Sequence, residues 1–168
     1  MKIMDYAERI NKHYEHFQNC ARDIFAEAAA HFFETNPDII SFGWSQFTPY
    51  FNDGEECVFQ IPDRDFFINE YNLESCDKEH RPSWFRHPCS IKEQIKSNEI
   101  NPEVVALLKQ ELNVAENALQ EQERFVAKAK EFLQEFSEQH LQMIFGSHVR
   151  VNIQKFGDIK VESYTDHY

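Results

Sequence analysis

The chain has 168 residues, with 17 Lys plus Arg against 29 Asp plus Glu and a net charge of -12. That length suits one domain spanning 1–168 with a full core. The charge repels phosphate backbones, so nucleic-acid binding by counterion release is excluded as an expectation, while a protein partner is not.

Sixteen Phe against 4 Gly predict an aromatic core and few loops. No window approaches the roughly 18 apolar residues of a membrane span. Met1 to Arg9 carries acidic residues where a secretory signal needs an apolar stretch, so the expected location is the cytoplasm. Cys20, Cys57, Cys76 and Cys89 lack paired spacing and are expected to be reduced thiols.

From the start, apolar or small residues recur at alternating steps of four and three: Ile3, Ala7, Ile10, Tyr14, Phe17, Ala21, Ile24, Ala28, His31. This heptad seam predicts a helix from Ile3 to Thr35, stopped by Asn36-Pro37. The period then becomes two. Ile40, Phe42 and Trp44, then Cys57, Phe59 and Ile61, then Phe66 and Ile68 predict three strands, with a hairpin turn at Asn52-Asp53-Gly54 between the first two.

Residues Tyr71 to Pro88 show no period, and Ser90-Ile91-Lys92-Glu93 is a capping box opening a short helix that runs to about Ser97. Asn101-Pro102 starts a second seam, Val105, Leu108, Leu112, Ala115, Leu119, Gln122, Val126, Ala129, Leu133, Phe136, His140, Met143, which Gly146 ends. Unbroken, this helix would measure about 65 Å against about 50 Å for the first, and Asn113 is the expected place for any break. The excess seam, centred on Leu119, Phe125, Val126, Phe132 and Leu133, predicts a homodimer through this helix.

Val149, Val151 and Ile153, then Ile159 and Val161, predict a terminal hairpin. A three-residue loop of Phe156-Gly157-Asp158, pairing Ile153 with Val161, keeps one face apolar. The expected fold is α+β, an antiparallel sheet of three to five strands with two long heptad-patterned helices packed on one face. Whether the terminal hairpin joins the first three strands is open at this point.

Several clusters could carry chemistry. Cys76, His80, His87 and Cys89 share one loop and are ligand types that zinc favours, but their spacings match no common zinc motif, so no metal and no cofactor is expected. His13 and His16 share a helix face, while His31 and His140 fall on the seams, where a polar residue more often sets register. Asp63, Asp65, Asp166 and His167 are the parts from which a metal-dependent hydrolase could be built, although solvated turn and terminal residues explain them as well. The chain has no phosphate-binding glycine loop, nucleophile elbow or His-Glu-x-x-His motif.

Trp44-Ser45-Gln46-Phe47-Thr48-Pro49-Tyr50-Phe51-Asn52-Asp53-Gly54-Glu55-Glu56-Cys57-Val58-Phe59 resembles a signature of a family of small proteins of large tailed bacteriophages. The tail from Val161 to His167 is similar to that group's acidic, aromatic ending. The resemblance carries no catalytic residue with it. It implies a chain that acts in the cytoplasm of an infected host, binding and modulating a host or viral protein. Proline cannot donate to a sheet ladder, so the aromatic pair after Pro49 suits an edge or a contact loop. Trp44, Gln46, Thr48, Pro49, Tyr50, Phe51, Asn52 and Asp53 form the candidate binding stretch. The expected function is therefore non-enzymatic protein binding, with a metal-dependent enzyme and a structural assembly component as alternatives.

Overall fold

The structure, a computed structural model, describes residues 3–49, 57–62, 65–75, 78–98, 101–157 and 159–163. The elements run α1 (Ile3–Thr35), β1 (Ser41–Gln46), β2 (Phe66–Ile68), a 3-10 turn (Lys78–His80), α2 (Pro88–Ser97), α3 (Pro102–Gln134), α4 (Glu138–Phe145), β3 (Val149–Gln154) and β4 (Lys160–Ser163). The fold is α+β, as the two periodicities predict. Among the described residues no helix is long and apolar enough to cross a membrane.

The sheet is antiparallel with strand order β2-β1-β3-β4, so the terminal hairpin does join the earlier strands. β1 is central, and all six of its residues are buried. Phe42, Trp44 and Gln46 alternate with Ser41, Gly43 and Ser45, which places the large side chains on one face. Onto that face α1 brings Phe25 and Phe32, α3 brings Phe132, and α4 brings Phe145, in one aromatic cluster with Phe42 and Trp44. Phe25 is the hub, with ring centroids 4.7 Å from Phe136, 5.0 Å from Phe145 and 5.5 Å from Phe132. The opposite face has Phe67 and Gly43 in register with Asn152, and the His80 ring stands edge-on to Phe67 at 5.1 Å. A Cβ at Gly43 would lie 2.6 Å from the Val151 carbonyl oxygen, so the close approach of β1 to β3 requires glycine there.

Two expectations about the strands are corrected. The run Cys57, Phe59, Ile61 does not form a strand; among the described residues it contributes the bridge of Gln60 to Phe47, by paired backbone hydrogen bonds of 2.9 and 3.1 Å. The Asn52-Asp53-Gly54 turn lies outside the described residues. The terminal hairpin pairs Val151 with Val161 and Asn152 with Lys160, not Ile153 with Val161. On its other edge β3 pairs with β1 up to its end, where Gln154 pairs with Ser41 and the Lys155 N–H donates to the Ile40 carbonyl at 2.9 Å, whereas its pairing with β4 ends at Asn152 and Lys160. The shift of two residues preserves the apolar face, since side chains alternate with period two.

The long second helix also breaks, at Glu135 to Ser137 instead of Asn113. Ser137 caps a new helix by accepting from the His140 N–H at 3.1 Å, with Glu138 in its first turn, and Gly146 closes it at φ 90. α1 and α3 therefore have the same length, 33 residues each, and the length mismatch behind the expected α3 dimer is gone. Phe125 and Leu133 are buried in the sheet-facing core, with Val126 and Phe132 packed against it. The first half of α3 is covered within the chain: Leu108 and Ala115 form a second core with Ile91 of α2, Phe85 and Leu73, against which Leu119 packs.

Candidate protein-interaction surface

The covered and uncovered halves of α1 differ sharply. From Phe25 onward it buries Phe25, Ala29, Phe32 and Phe33. Before that point its large apolar side chains stand in solvent, Tyr6 49% exposed, Ile10 67%, Tyr14 52%, Phe17 53% and Ile24 64%, while the small Ala21 packs against the core. Single exposed apolar residues are ordinary, whereas five along one stripe of a helix form a contiguous patch.

The place where this arm leaves the body is fixed by polar contacts to the end of α4. Gln18 Nε2 donates to the Met143 carbonyl at 2.9 Å and Arg22 Nε donates to the Ile144 carbonyl at 3.0 Å. Those carbonyls belong to the last turn of α4, where backbone acceptors lack helical partners. On the far side of the arm Glu8 and Lys12 pair at 2.9 Å with the favourable four-residue spacing.

The residues singled out in the sequence are dispersed. Trp44 and Gln46 are completely buried, so they are core residues and not the partner contacts that the sequence suggests. Trp44 Nε1 donates to Gln46 Oε1 at 2.9 Å, and Gln46 Nε2 donates to the carbonyls of Gly146 at 2.6 Å and Leu141 at 3.2 Å. Gln46 thus fastens β1 to the end of α4. Thr48 and Pro49 are half-buried, and the Thr48 N–H donates to Ser147 Oγ at 2.9 Å. Tyr50, Phe51, Asn52 and Asp53 lie outside the described residues.

Of the candidate zinc ligands, Cys76 lies outside the described residues. His80 Nδ1 meets Ser75 Oγ at 3.2 Å, and His87 Nδ1 accepts from the Cys89 N–H at 3.3 Å as the N-cap of α2. Cys89 is exposed and has a free thiol, as do Cys20 and Cys57. Among the described residues no group of three His, Cys, Asp or Glu is placed to hold a metal ion. His16 Nε2 lies 3.8 Å from Cys20 Sγ on the arm, His31 pairs with Glu34 at 3.6 Å, and exposed His140 sits in the first turn of α4. The Asp65 carbonyl accepts from the Ser45 N–H at 3.2 Å. Asp63, Asp166 and His167 are outside the described residues.

No family model, no curated protein and no solved structure matches the chain.

One polar residue on the α3 seam proves structural. Gln122 is buried, its Oε1 accepts from the Leu73 N–H at 2.7 Å, and its Nε2 donates to the Tyr71 carbonyl at 2.9 Å. It holds the loop that covers α3. The uncovered arm of α1 is a feature that pattern reading missed, because its seam was matched to the second helix. The available signal was Ser137-Glu138, a helix start inside the second seam that shortens it and sends α4 back across α1.

Proposed function

We propose that this chain is a non-enzymatic, phage-encoded binding protein that engages a protein partner in the host cytoplasm, with the arm of α1 as its contact surface. One observation carries the reading: Tyr6, Ile10, Tyr14, Phe17 and Ile24, large apolar side chains on one side of a helix, are each about half exposed or more. A helix presenting anchors at such spacing is a common protein-recognition element, because one face can enter a groove or pair with another helix. The phage origin is supported by the resemblance of Trp44 to Phe59, whose Trp and Gln now have an explanation in the core.

The reading is tested by capture from infected cells with tagged wild-type chain and with the double variant Ile10→Asp, Phe17→Asp. A stoichiometric protein, including an untagged copy of the chain, should be recovered by the wild type and lost by the variant. Equal recovery by both would remove the arm from the binding role.

A further inference from the structure

Resting on the reading of α1 as a contact surface, we infer that the occupant of the arm is a second copy of this chain, the two arms pairing as an antiparallel two-helix coiled coil. In heptad terms Ala7, Tyr14 and Ala21 occupy a positions, and Ile3, Ile10, Phe17 and Ile24 occupy d positions. Every charged residue between Ile3 and Ile24 falls at b, c or f: four acids, Asp5, Glu8, Glu15 and Asp23, and three bases, Arg9, Lys12 and Arg22. The segment therefore has a net charge of -1 in a chain of -12, and its a, d, e and g positions carry none. A basic or acidic partner finds no charge complement on this face. A second identical face meets no like charge on it.

The area is sufficient. Five large side chains, each about half exposed, offer roughly 100 Å² apiece or roughly 500 Å² per chain. Two copies bury about 1,000 Å² together, the size at which a specific interface becomes expected.

Side-chain volumes choose the direction. A parallel pair would place Ala7 against Ala7, a thin layer beside the bulky Ile10 and Tyr14 ones. In an antiparallel pair each a position faces a d position, so Ala7 faces Ile or Phe and Tyr14 faces a d residue, while Ala21 stays packed against its own core and adds no layer. Antiparallel arms also send the two acidic bodies to opposite ends, which lowers their repulsion.

Sedimentation velocity on the full chain at micromolar concentration should give twice 20.0 kDa, falling to 20.0 kDa for Ile10→Asp, Phe17→Asp with unchanged far-UV circular dichroism. Lys12→Asp, at an f position, should leave the doubled mass in place, and added salt should strengthen the dimer by screening the bodies. For direction, Ala7→Cys in a chain whose four native cysteines, Cys20, Cys57, Cys76 and Cys89, are replaced by Ser should give no disulfide-linked dimer on mild oxidation; efficient cross-linking of that variant overturns the antiparallel arrangement. A wild-type mass of 20.0 kDa overturns self-pairing. In that case a partner captured by wild type and lost by Ile10→Asp, Phe17→Asp still upholds the arm as a contact surface, and the absence of any such partner removes both readings.

Discussion

The indole N–H of Trp44 donates to Oε1 of Gln46 at 2.9 Å, with both side chains shut off from solvent on the same face of β1. The amide end of that Gln reaches two carbonyls of α4 and its cap, so a single side chain joins the central strand to the shortest described α-helix of the sheet-facing core. Replacing it leaves the buried Trp44 indole N–H without its acceptor and takes a donor from the carbonyls of Leu141 and Gly146. Gln46→Leu is expected to destabilise the fold by about 3 kcal/mol, read from urea unfolding, because buried unpaired groups cost about 1–3 kcal/mol each and the added apolar volume offsets only part. A loss under about 1 kcal/mol would show that the network contributes little.

Gln122 fulfils the same kind of role at the other end of the molecule. Gln122→Leu should cost about 1 to 2 kcal/mol by leaving the Leu73 N–H without its acceptor, while the Tyr71 carbonyl keeps the Ile68 N–H at 2.8 Å. It should also raise amide exchange at Leu73 more than in the sheet, since the loop it holds would open locally. Unchanged exchange at Leu73 would contradict the assignment.

At Gly43 the test is steric. Gly43→Ala places a methyl group 2.6 Å from the Val151 carbonyl oxygen, and β1 and β3 must separate to admit it. The expected cost is about 2 kcal/mol or more, in the range of overpacked cores. A neutral substitution would mean that the two strands lie further apart.

Lys92 gives a pH-dependent outcome. The hydrogen bond and the charge of Glu116, at 2.8 Å, raise its ammonium above the ordinary 10.5. A group raised on folding contributes its stability fully below the unfolded value and loses it as pH climbs through the folded one, so the window lies above about 10.5. Glu116→Gln should return the Lys92 titration, followed by NMR, toward 10.5. No movement would separate the pair in solution.

Much of the fold can be read from pattern alone. The Ile3–Thr35 helix, its stop at Asn36-Pro37, the Asn101 cap and the Gly146 stop all coincide with the structure, because caps and breakers act locally. What escaped reading depends on distant partners. Cys57 to Ile61 alternates like a strand but among the described residues gains one bridge, at Gln60, since β2 and β3 already occupy both edges of β1. Gln46 reads as a contact residue and Gln122 as a polar member of a seam, yet Gln122 is partnered at both ends of its amide by backbone groups about fifty residues away, and the Gln46 Nε2 by two carbonyls of α4 and its cap. The arm's exposure was hidden for the same reason: a heptad reports that a helix has an apolar face, and only the packing of α2 against α3 shows that this face is left over.

Amide hydrogen exchange along α1 tests the role of the arm most directly. A helical segment without tertiary packing is marginal in water and exchanges quickly, whereas one clasped by another helix is protected. Backbone amides from Tyr6 to Cys20 should approach the protection of Phe25 to Phe33 at high protein concentration and lose it on dilution, while the latter stay constant. Fast exchange from Tyr6 to Cys20 at every concentration, with no partner able to slow it, would contradict the account.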